Sequence, residues 1–443
     1  MHQEGSFMSV KYLNLALMLL LLSSSAAMCI PFNSYDPRSM GMGGTGVAVA
    51  DAATAPLFNP ALLSVTRYSD DFSLILPTVG IHAADPENLR GSIDTFSSGK
   101  YVDNLTAAVD SLNTAISSGN IPNIQSTAAT VSTRLSALNT QLKGLSDKPV
   151  SLGAGVATVV GIPNKKFGVA FFANATAAAG GAFFYKDAAI LDTLATQASC
   201  LSTAANGTAV TACGTPSFNT NTLQSTVTLR GVVLSEAGFA FSREFRINKQ
   251  NIALGITPKI VQAQLYDIPI GFNSPSFSNF NGNDYLAKYS IANFDLGMAK
   301  NFRNGWRAGL VVKNVIPYFL DFKRAPVAGA VPVATGDTLR LVPQSRAGVS
   351  YTNRRAVIAL DADLYRNDPA GLENYTQYIS LGGELNAWNW VQLRVGYRAD
   401  LVNSSRNIVT LGLGFSPFGV HTDIAVAGNA NELGAYFQLG FRF

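Results

Sequence analysis

The chain has 443 residues, of which 47% are hydrophobic and 14% are charged, with a formal net charge of +4. The charged fraction is well below the quarter that is usual in soluble domains. The basic residues are scattered along the chain, which excludes the basic stripe that follows nucleic acid. Length alone does not divide the chain, because large β-barrels reach this size as one domain.

The first predicted element is an export signal over residues 1–27. An apolar run follows Lys11 and precedes small residues that end at Ala27. Positive charge, apolar core and small residues in that order are typical of secretory signals, and the run is too short to span a bilayer. Cys29 follows, but Met28 is not the small residue expected before a lipidated cysteine. We therefore expect an exported protein.

Residues 28–71 are predicted to form a plug, or hatch, because their composition differs from that of the rest of the chain. Glycine and alanine dominate, and an Asn-Pro turn follows. Closely spaced glycines permit positive φ and close packing against other main chain. The glycines serve either this packing or the hinges of a gate. The candidate hatch and gate residues are Gly41, Gly43, Gly44, Gly46, Asp51, Asn59, Pro60 and Ala61.

The same glycines match the dinucleotide-binding fingerprint Gly-x-Gly-x-x-Gly. That motif needs a strand before it, a helix after it and a βαβ unit around it. The preceding residues carry two prolines and no buried-strand pattern, and no later stretch alternates strands with crossover helices. We therefore reject a nucleotide site.

Apolar and polar residues alternate with period two over residues 72–443, which predicts strands with two different faces. Short turns alternate with longer polar connections, as in outer-membrane barrels. A sheet in lipid must also close, because open edges leave backbone groups unpaired. The predicted fold is all-β, a closed antiparallel transmembrane barrel of about 14 strands with the hatch in its lumen. A secreted β-sandwich is the alternative. The predicted strands are 72–82, 150–162, 166–178, 225–245, 251–266, 288–302, 306–320, 340–352, 355–366, 376–386, 390–400, 407–416, 419–427 and 434–443.

Two long insertions separate early strands. In residues 84–148, apolar residues recur every three or four positions, which predicts two amphipathic helices in an antiparallel hairpin on the extracellular side. This hairpin is either a self-packed cap or a docking site for another protein. Residues 179–224 contain a predicted short helix, and then Cys200 and Cys213. In an oxidising compartment their spacing suits a disulfide, with free thiols as the alternative.

Charged residues on the lumen face are interpreted as structural ion pairs rather than as catalytic groups. The three histidines cannot share one site, and no HExxH, GxSxG or CxxC motif occurs. We therefore expect neither an enzyme nor a cofactor nor a metal site. The predicted lumen charges are Asp361, Asp363 and Glu384, near Arg394 and Arg398.

The stretch from Arg38 to Leu62 resembles the N-terminal hatch of the FadL-type (FadL and TodX) barrel superfamily. The resemblance lies in Met42-Gly-Gly-Thr-Gly and in Asn59-Pro-Ala. The end of the chain at Phe443 resembles the signal that the bacterial barrel-assembly machinery recognises. Residues 55–63, 76–80 and 84–89 look most similar to the TraF-like outer-membrane family, which is named for conjugal plasmid transfer, and the helical insertion fits that branch.

The superfamily resemblance implies gated transport of hydrophobic small molecules through the hatch and a lateral opening. The TraF-like resemblance implies a structural or assembly component of a conjugal DNA-transfer system, and the helical hairpin alone permits a surface receptor or adhesin. The expected location is the outer membrane of a Gram-negative bacterium, with both termini periplasmic. Expected partners are the bilayer and lipopolysaccharide, the barrel-assembly machinery, a hydrophobic ligand and conjugation-apparatus proteins, without direct nucleic acid.

Overall fold

The computed structural model describes residues 32, 35–65, 72–146, 148–247, 250–271, 282–326, 330–368, 372, 374–388 and 390–442. The predicted signal segment, Cys29 and the proposed assembly signal at Phe443 lie outside these residues.

Fourteen antiparallel strands form one closed barrel, and the pairing of the first strand with the last completes the ring. The predicted closed barrel is therefore confirmed. Two further strands, β8 and β9, form a separate hairpin. The strands are β1 Ser73–Ala84, β2 Val150–Ile162, β3 Gly168–Phe184, β4 Thr226–Ile247, β5 Gln250–Gly271, β6 Leu286–Asn301, β7 Trp306–Lys313, β8 Tyr318–Arg324, β9 Val333–Leu341, β10 Gln344–Thr352, β11 Ala356–Asp363, β12 Tyr378–Asn386, β13 Val391–Asp400, β14 Ile408–Phe415, β15 Val420–Gly428 and β16 Glu432–Arg442.

The two faces of the barrel wall differ in burial, residue by residue. In β14, Val409, Leu411 and Leu413 are each about half exposed, whereas Thr410 between them is fully buried. An apolar outer face on a closed barrel is what a lipid environment requires. This barrel therefore fits an outer membrane. In the described part of the chain, no helix combines the length and the apolar character needed to cross a membrane.

Short turns lie at one end of the barrel, here called the turn end, and the long connections lie at the other, the loop end. The last loop-end connection, residues 429–431, is an exception, because it is as short as the turns. The helices are α1 Pro37–Gly41, α2 Ala55–Phe58, α3 Leu89–Ser98, α4 Tyr101–Ser118, α5 Ile121–Leu145, α6 Ala188–Ser202 and α7 Gly207–Cys213, with short 3-10 helices at Pro60–Ser64, Thr220–Thr222, Gly282–Tyr285, Arg303–Gly305 and Ser404–Arg406.

Helices α3 to α7 share one apolar core at the loop end and form a self-packed cap. Gly119, with φ of 71°, ends α4, and the side chain of Asn120 accepts a hydrogen bond from Asn123 N to begin α5. The two helices therefore turn back on each other within three residues. A disulfide joins Cys200 to Cys213 and thereby α6 to α7, so the predicted bridge is confirmed.

The hairpin of β8 and β9 packs against the inner wall of β4, β5 and β6 near the loop end. Two predicted strands, 306–320 and 340–352, are longer than the wall strands β7 and β10 that correspond to them. The chain leaves the wall at Asn314, which has φ of 54°, and the residues of the hairpin follow. Arg230 of the wall pairs with Asp337 of the hairpin at 2.6 Å and stacks over Phe322 at 4.5 Å. The hairpin thus fills part of the loop-end lumen.

Candidate functional site

Residues 35–65, here called the plug, lie inside the barrel at its turn end. Most of their side chains are buried. Helix α1 packs against β13 to β16, and the 3-10 helix Pro60–Ser64 packs against β4 to β6. Asn164, in the turn after β2, donates its amide hydrogen to Leu63 O at 3.2 Å. The plug therefore reaches the mouth of the barrel at the turn end.

Two of the candidate gate glycines, Gly41 and Gly43, lie where the plug backbone touches the wall, whereas a Cβ at Gly46 would meet the ring of Phe58 in the plug itself at 2.1 Å and one at Gly44 would make only ordinary contacts. A Cβ at Gly43 would lie 2.8 Å from Tyr397 O and 2.9 Å from Leu381 O, and the residue has φ of 75°. A Cβ at Gly41 would lie 3.0 Å from the Cα of Gly412. Only glycine fits both the space and the left-handed backbone at Gly43. Gly41 and Gly43 are therefore packed closely against the wall.

The wall carries matching glycines, which were not recognised as a group from the sequence. A Cβ at Gly396 would lie 2.1 Å from Gly43 N, one at Gly382 would lie 2.3 Å from Met42 O, and one at Gly309 would lie 2.4 Å from Val47 O. The signal was present, because period-two alternation places these glycines on the inward face. Plug and wall therefore meet backbone to backbone.

Asp361 anchors the loop of the plug. Its Oδ2 accepts hydrogen bonds from Gly46 N at 2.7 Å and from Val47 N at 2.9 Å. Asp361 and Asp363 were expected near Arg394 and Arg398, but the structure gives these two carboxylates other partners. The guanidinium that meets Asp363 is that of Arg346, at 2.6 Å, because β10 rather than β13 is the neighbour of β11.

A chain of charges links the plug to the adjacent wall strands β12, β13 and β15. Arg38 pairs with Glu384 at 2.9 Å, and Glu384 also pairs with Arg394 at 2.7 Å. Arg394 in turn pairs with Asp423 at 2.6 Å. Each guanidinium meets a carboxylate, which is the condition under which buried charges are tolerated. The sequence indicated Glu384 and Arg394 but not Arg38.

Two aspartates of the plug have shifted pKa values. Burial raises the pKa of Asp36 to about 7, and its hydrogen bond from Ser39 N opposes this rise. Burial also raises the pKa of Asp51, but the charges of Arg442 and Arg38 outweigh it and hold that pKa below its ordinary value. Arg442, in the last strand, approaches Asp51 to 2.6 Å. The plug is thereby joined to the strand that closes the barrel.

The Asn-Pro-Ala turn fixes the other end of the plug. The side-chain amide of Asn59 donates to Val47 O at 2.9 Å and to Met298 O at 3.1 Å, and its oxygen accepts from Ala61 N at 3.1 Å. Pro60 begins the 3-10 helix that follows. Asn59 thus joins two parts of the plug and one wall strand.

Arg398 lies apart from these anchors, over the ring of Tyr378 at 4.4 Å, and it faces Glu432 at 3.9 Å. Among the described residues, no group of three or more histidine, cysteine, aspartate or glutamate side chains is placed to hold a metal ion. Glu384 and Asp361 bind the plug directly, whereas Arg398 pairs within the wall.

One patch of the wall lacks side chains on its inner face. Gly80 of β1 lies opposite Gly155 of β2, and the ring of Tyr35 fills the space that they leave. A Cβ at Gly155 would lie 2.1 Å from Tyr35 Cδ2, and one at Gly80 would lie 2.9 Å from Tyr35 Cδ1. We call this the thin wall patch. The ring of Tyr436, whose centroid is 6.3 Å away, completes the aromatic contact.

A bulge borders the thin wall patch. The register of β1 shifts between Ile75 and Thr78 against both neighbouring strands, and the segment contains Pro77, which has no amide hydrogen to donate. Outside the barrel, an apolar recess of about 550 Å³ adjoins the patch. Inside, a cavity of about 40 Å³ lies beside the plug, and both hollows touch Val156 and Thr176.

Solved structures with the same fold are known. A toluene transporter from Ralstonia pickettii, TbuX, is 12% identical with a TM-score of 0.50, over 93% of this chain and 99% of that one. A mutant of the monoaromatic hydrocarbon channel TodX is 11% identical with a TM-score of 0.50, over 93% of this chain and 99% of that one. At such identities the likeness shows the fold alone, that of the FadL-type barrels. No curated protein matches the chain at a significant level.

The model of one protein family matches residues 56–363. This range runs from α2 in the plug to the end of β11, and it includes the cap and the hairpin in the lumen. More than half of the chain is therefore covered. The chain belongs to the family described as F plasmid transfer operon, TraF, protein.

Proposed function

We propose that this protein transports apolar small molecules across the outer membrane, through the thin wall patch beside a plug that stays seated. The observation that carries the proposal is the position of Tyr35. Its ring covers the inner face of Gly155 and, together with the ring of Tyr436, that of Gly80, and it also lines the interior cavity. Movement of the Tyr35 ring would therefore open the inner face of Gly155 towards this cavity.

The anchors of the plug support a route beside it. The backbone of the plug meets Asp361, Thr410 and Ser350 on separate strands, and Arg38 and Asp51 add ion pairs. Expelling the plug would break all of these contacts together and leave several charges unpaired, at a cost of several kcal/mol. Displacing Tyr35 breaks far fewer contacts.

The expected ligand is apolar, because the recess outside the wall is lined by Val79, Ile81, Val156 and Phe437 together with small residues. The neighbours of the same fold are described as a toluene transporter and a monoaromatic hydrocarbon channel. A ligand of that class partitions into lipid, so a lateral route delivers it to the membrane without passage through water.

The proposed orientation has the cap outside the cell and the short turns in the periplasm, with both termini periplasmic. This follows the usual asymmetry of outer-membrane barrels. In this orientation the plug lies at the periplasmic end of the barrel. The proposed partners of the protein are the bilayer, lipopolysaccharide and the barrel-assembly machinery.

Replacing Tyr35 with alanine is expected to raise toluene uptake into proteoliposomes by up to about tenfold, because one aromatic contact is worth roughly 0.5–1.5 kcal/mol. The matched control is Tyr101→Ala, which removes a comparable aromatic pair, 5.9 Å between ring centroids, from the cap. The control is expected to leave uptake unchanged. Equal uptake in wild type, Tyr35→Ala and protein-free vesicles would reject transport.

A structural role in a conjugal DNA-transfer system is the second candidate, and family membership favours it. The tightly filled interior at the plug suits a scaffold as well as a gated channel. In that case the cap is the expected contact for conjugation-apparatus proteins. Rejection of transport in the uptake experiment would leave this candidate standing.

A further inference from the structure

The ring of Tyr35 lies in a slot whose floor is main chain. Three inward positions of β1 and β2, those of Gly80, Gly153 and Gly155, carry no side chain. A Cβ at Gly153 would lie 2.8 Å from Tyr35 Oη, and Cβ atoms at Gly80 and Gly155 would meet carbon atoms of the same ring. We call the space that this ring occupies the ring slot. Glycine inside a strand often marks such a place of close approach.

The side chain that fills the ring slot defines its chemistry. From Cβ outward, a tyrosine side chain has the structure of para-cresol, so Tyr35 resembles a ligand that is built into the chain. The ring of Tyr436, with its centroid 6.3 Å away, adds an aromatic contact at one side. When the Tyr35 ring moves aside, a free molecule of the same shape therefore fits the vacated space.

The hydroxyl end of the ring slot lies beside His82, which pairs directly with Gly153 across β1 and β2. A Cβ at Gly153 would lie 3.8 Å from His82 Nδ1, so the imidazole and the Tyr35 hydroxyl lie against the same glycine. His82 Nε2 lies 3.4 Å from Glu432 Oε2, and among the described residues Nδ1 has no hydrogen-bond partner. A hydroxyl both donates and accepts, so it pairs with Nδ1 in either protonation state, whereas a methyl group pairs in neither.

The interior cavity that the ring slot borders is polar. Tyr35 lines it together with Asn174, Glu236, Asp295 and Lys313. The side-chain oxygen of Asn174 is buried and accepts no hydrogen bond from the described part of the chain. A hydrocarbon that enters this cavity leaves such groups desolvated and unpaired, whereas a hydroxyl supplies a donor. The interior therefore favours an aromatic ring that carries a hydroxyl over one that does not.

We propose that the ring slot binds monocyclic phenols, with the aromatic ring in the place of the Tyr35 ring and the hydroxyl at His82. This inference rests on the proposed function, since the slot opens only when Tyr35 moves. It narrows the expected ligand from apolar molecules in general to phenols, whose ring is still apolar enough for the recess outside the wall. His82 is then the residue that determines specificity.

Fluorine NMR of the refolded full chain in detergent micelles tests the proposal with two probes, para-fluorophenol and fluorobenzene, which differ by one hydroxyl. Empty micelles give the reference for partitioning into detergent. Tyr35→Ala leaves the slot open and is expected to bind para-fluorophenol about tenfold more tightly than fluorobenzene, because only the phenol gains a hydrogen bond. Wild type is expected to show the same preference with weaker binding of both probes, since its own ring competes for the slot.

Three further substitutions locate the site. In the Tyr35→Ala background, His82→Leu is expected to bind the two probes equally, whereas His82→Gln keeps a hydrogen-bonding group and is expected to retain the preference. Gly155→Val in the same background places a side chain where the Tyr35 ring lay and is expected to abolish binding of both probes. The matched control is Tyr101→Ala, which removes an aromatic contact from the cap and is expected to bind as wild type does.

Equal affinity for the two probes in Tyr35→Ala would overturn the selection of phenols, while toluene uptake, measured separately, would still decide the proposed function. Binding that survives Gly155→Val would place the probes elsewhere and overturn the ring slot as their site. Selective binding of para-fluorophenol without toluene uptake by any variant would support the slot and reject transport of hydrocarbons. The two proposals therefore fail in distinguishable ways.

Discussion

Replacing Gly382 with valine is expected to unseat the plug while the barrel stays closed. The new Cβ would lie 2.3 Å from Met42 O and 2.5 Å from Met42 Cβ, and a backbone carbonyl cannot turn aside as a side chain can. Overpacking of this kind costs about 1–3 kcal/mol. We expect protease to cleave residues 35–65 in the variant but not in wild type, and the variant to conduct ions in planar bilayers.

The adjacent residue supplies the control for this experiment. Gly383 lies on the same strand but faces outward, and a Cβ there would meet only Val357 O, at 3.9 Å. Gly383→Val has the same composition and the same effect on strand propensity as Gly382→Val. If both variants or neither expose the plug to protease, contact between the plug and the wall at Gly382 is not what holds it.

Replacing Asp361 with alanine is expected to destabilise the seated plug by about 3 kcal/mol. The substitution leaves the buried amide hydrogens of Gly46 and Val47 without an acceptor. Amide hydrogen exchange at these two residues measures the effect directly, with faster exchange expected. Asp361→Asn keeps one oxygen acceptor in place and is expected to lose much less. Unchanged exchange in Asp361→Ala would show that other contacts hold this loop.

The barrel strands were predictable because their signal is local. Alternation of apolar and polar residues needs no knowledge of what a strand pairs with, and the turns mark the boundaries. The local nature of the signal also explains why the strand predicted over 306–320 extends beyond the end of β7 at Lys313. Strand character continues into β8, but whether a strand lies in the wall depends on where the chain turns, here at Asn314. Alternation alone does not show that turn.

The partners of the lumen charges were not predictable, because they depend on the stagger of the strands and on the path of the plug. Arg38 lies 346 residues from Glu384 in sequence. Arg346 faces Asp363 because β10 and β11 are adjacent in that register. The wall glycines, unlike the partners of the lumen charges, were predictable. Alternation places them on the inward face, and a glycine-rich plug is expected to pack there.

The most direct test of the central claim is to fix the plug to the wall and measure uptake. Ser64 Oγ of the plug lies 2.7 Å from Ser242 Oγ of β4, so Ser64→Cys with Ser242→Cys should form a disulfide on oxidation. Replacing Cys29, Cys200 and Cys213 with serine in this background confines the redox change to the new bond. Our account predicts that toluene uptake by the oxidised protein equals that of the reduced protein. Uptake that stops on oxidation and returns on reduction would contradict it, because the plug would then have to move.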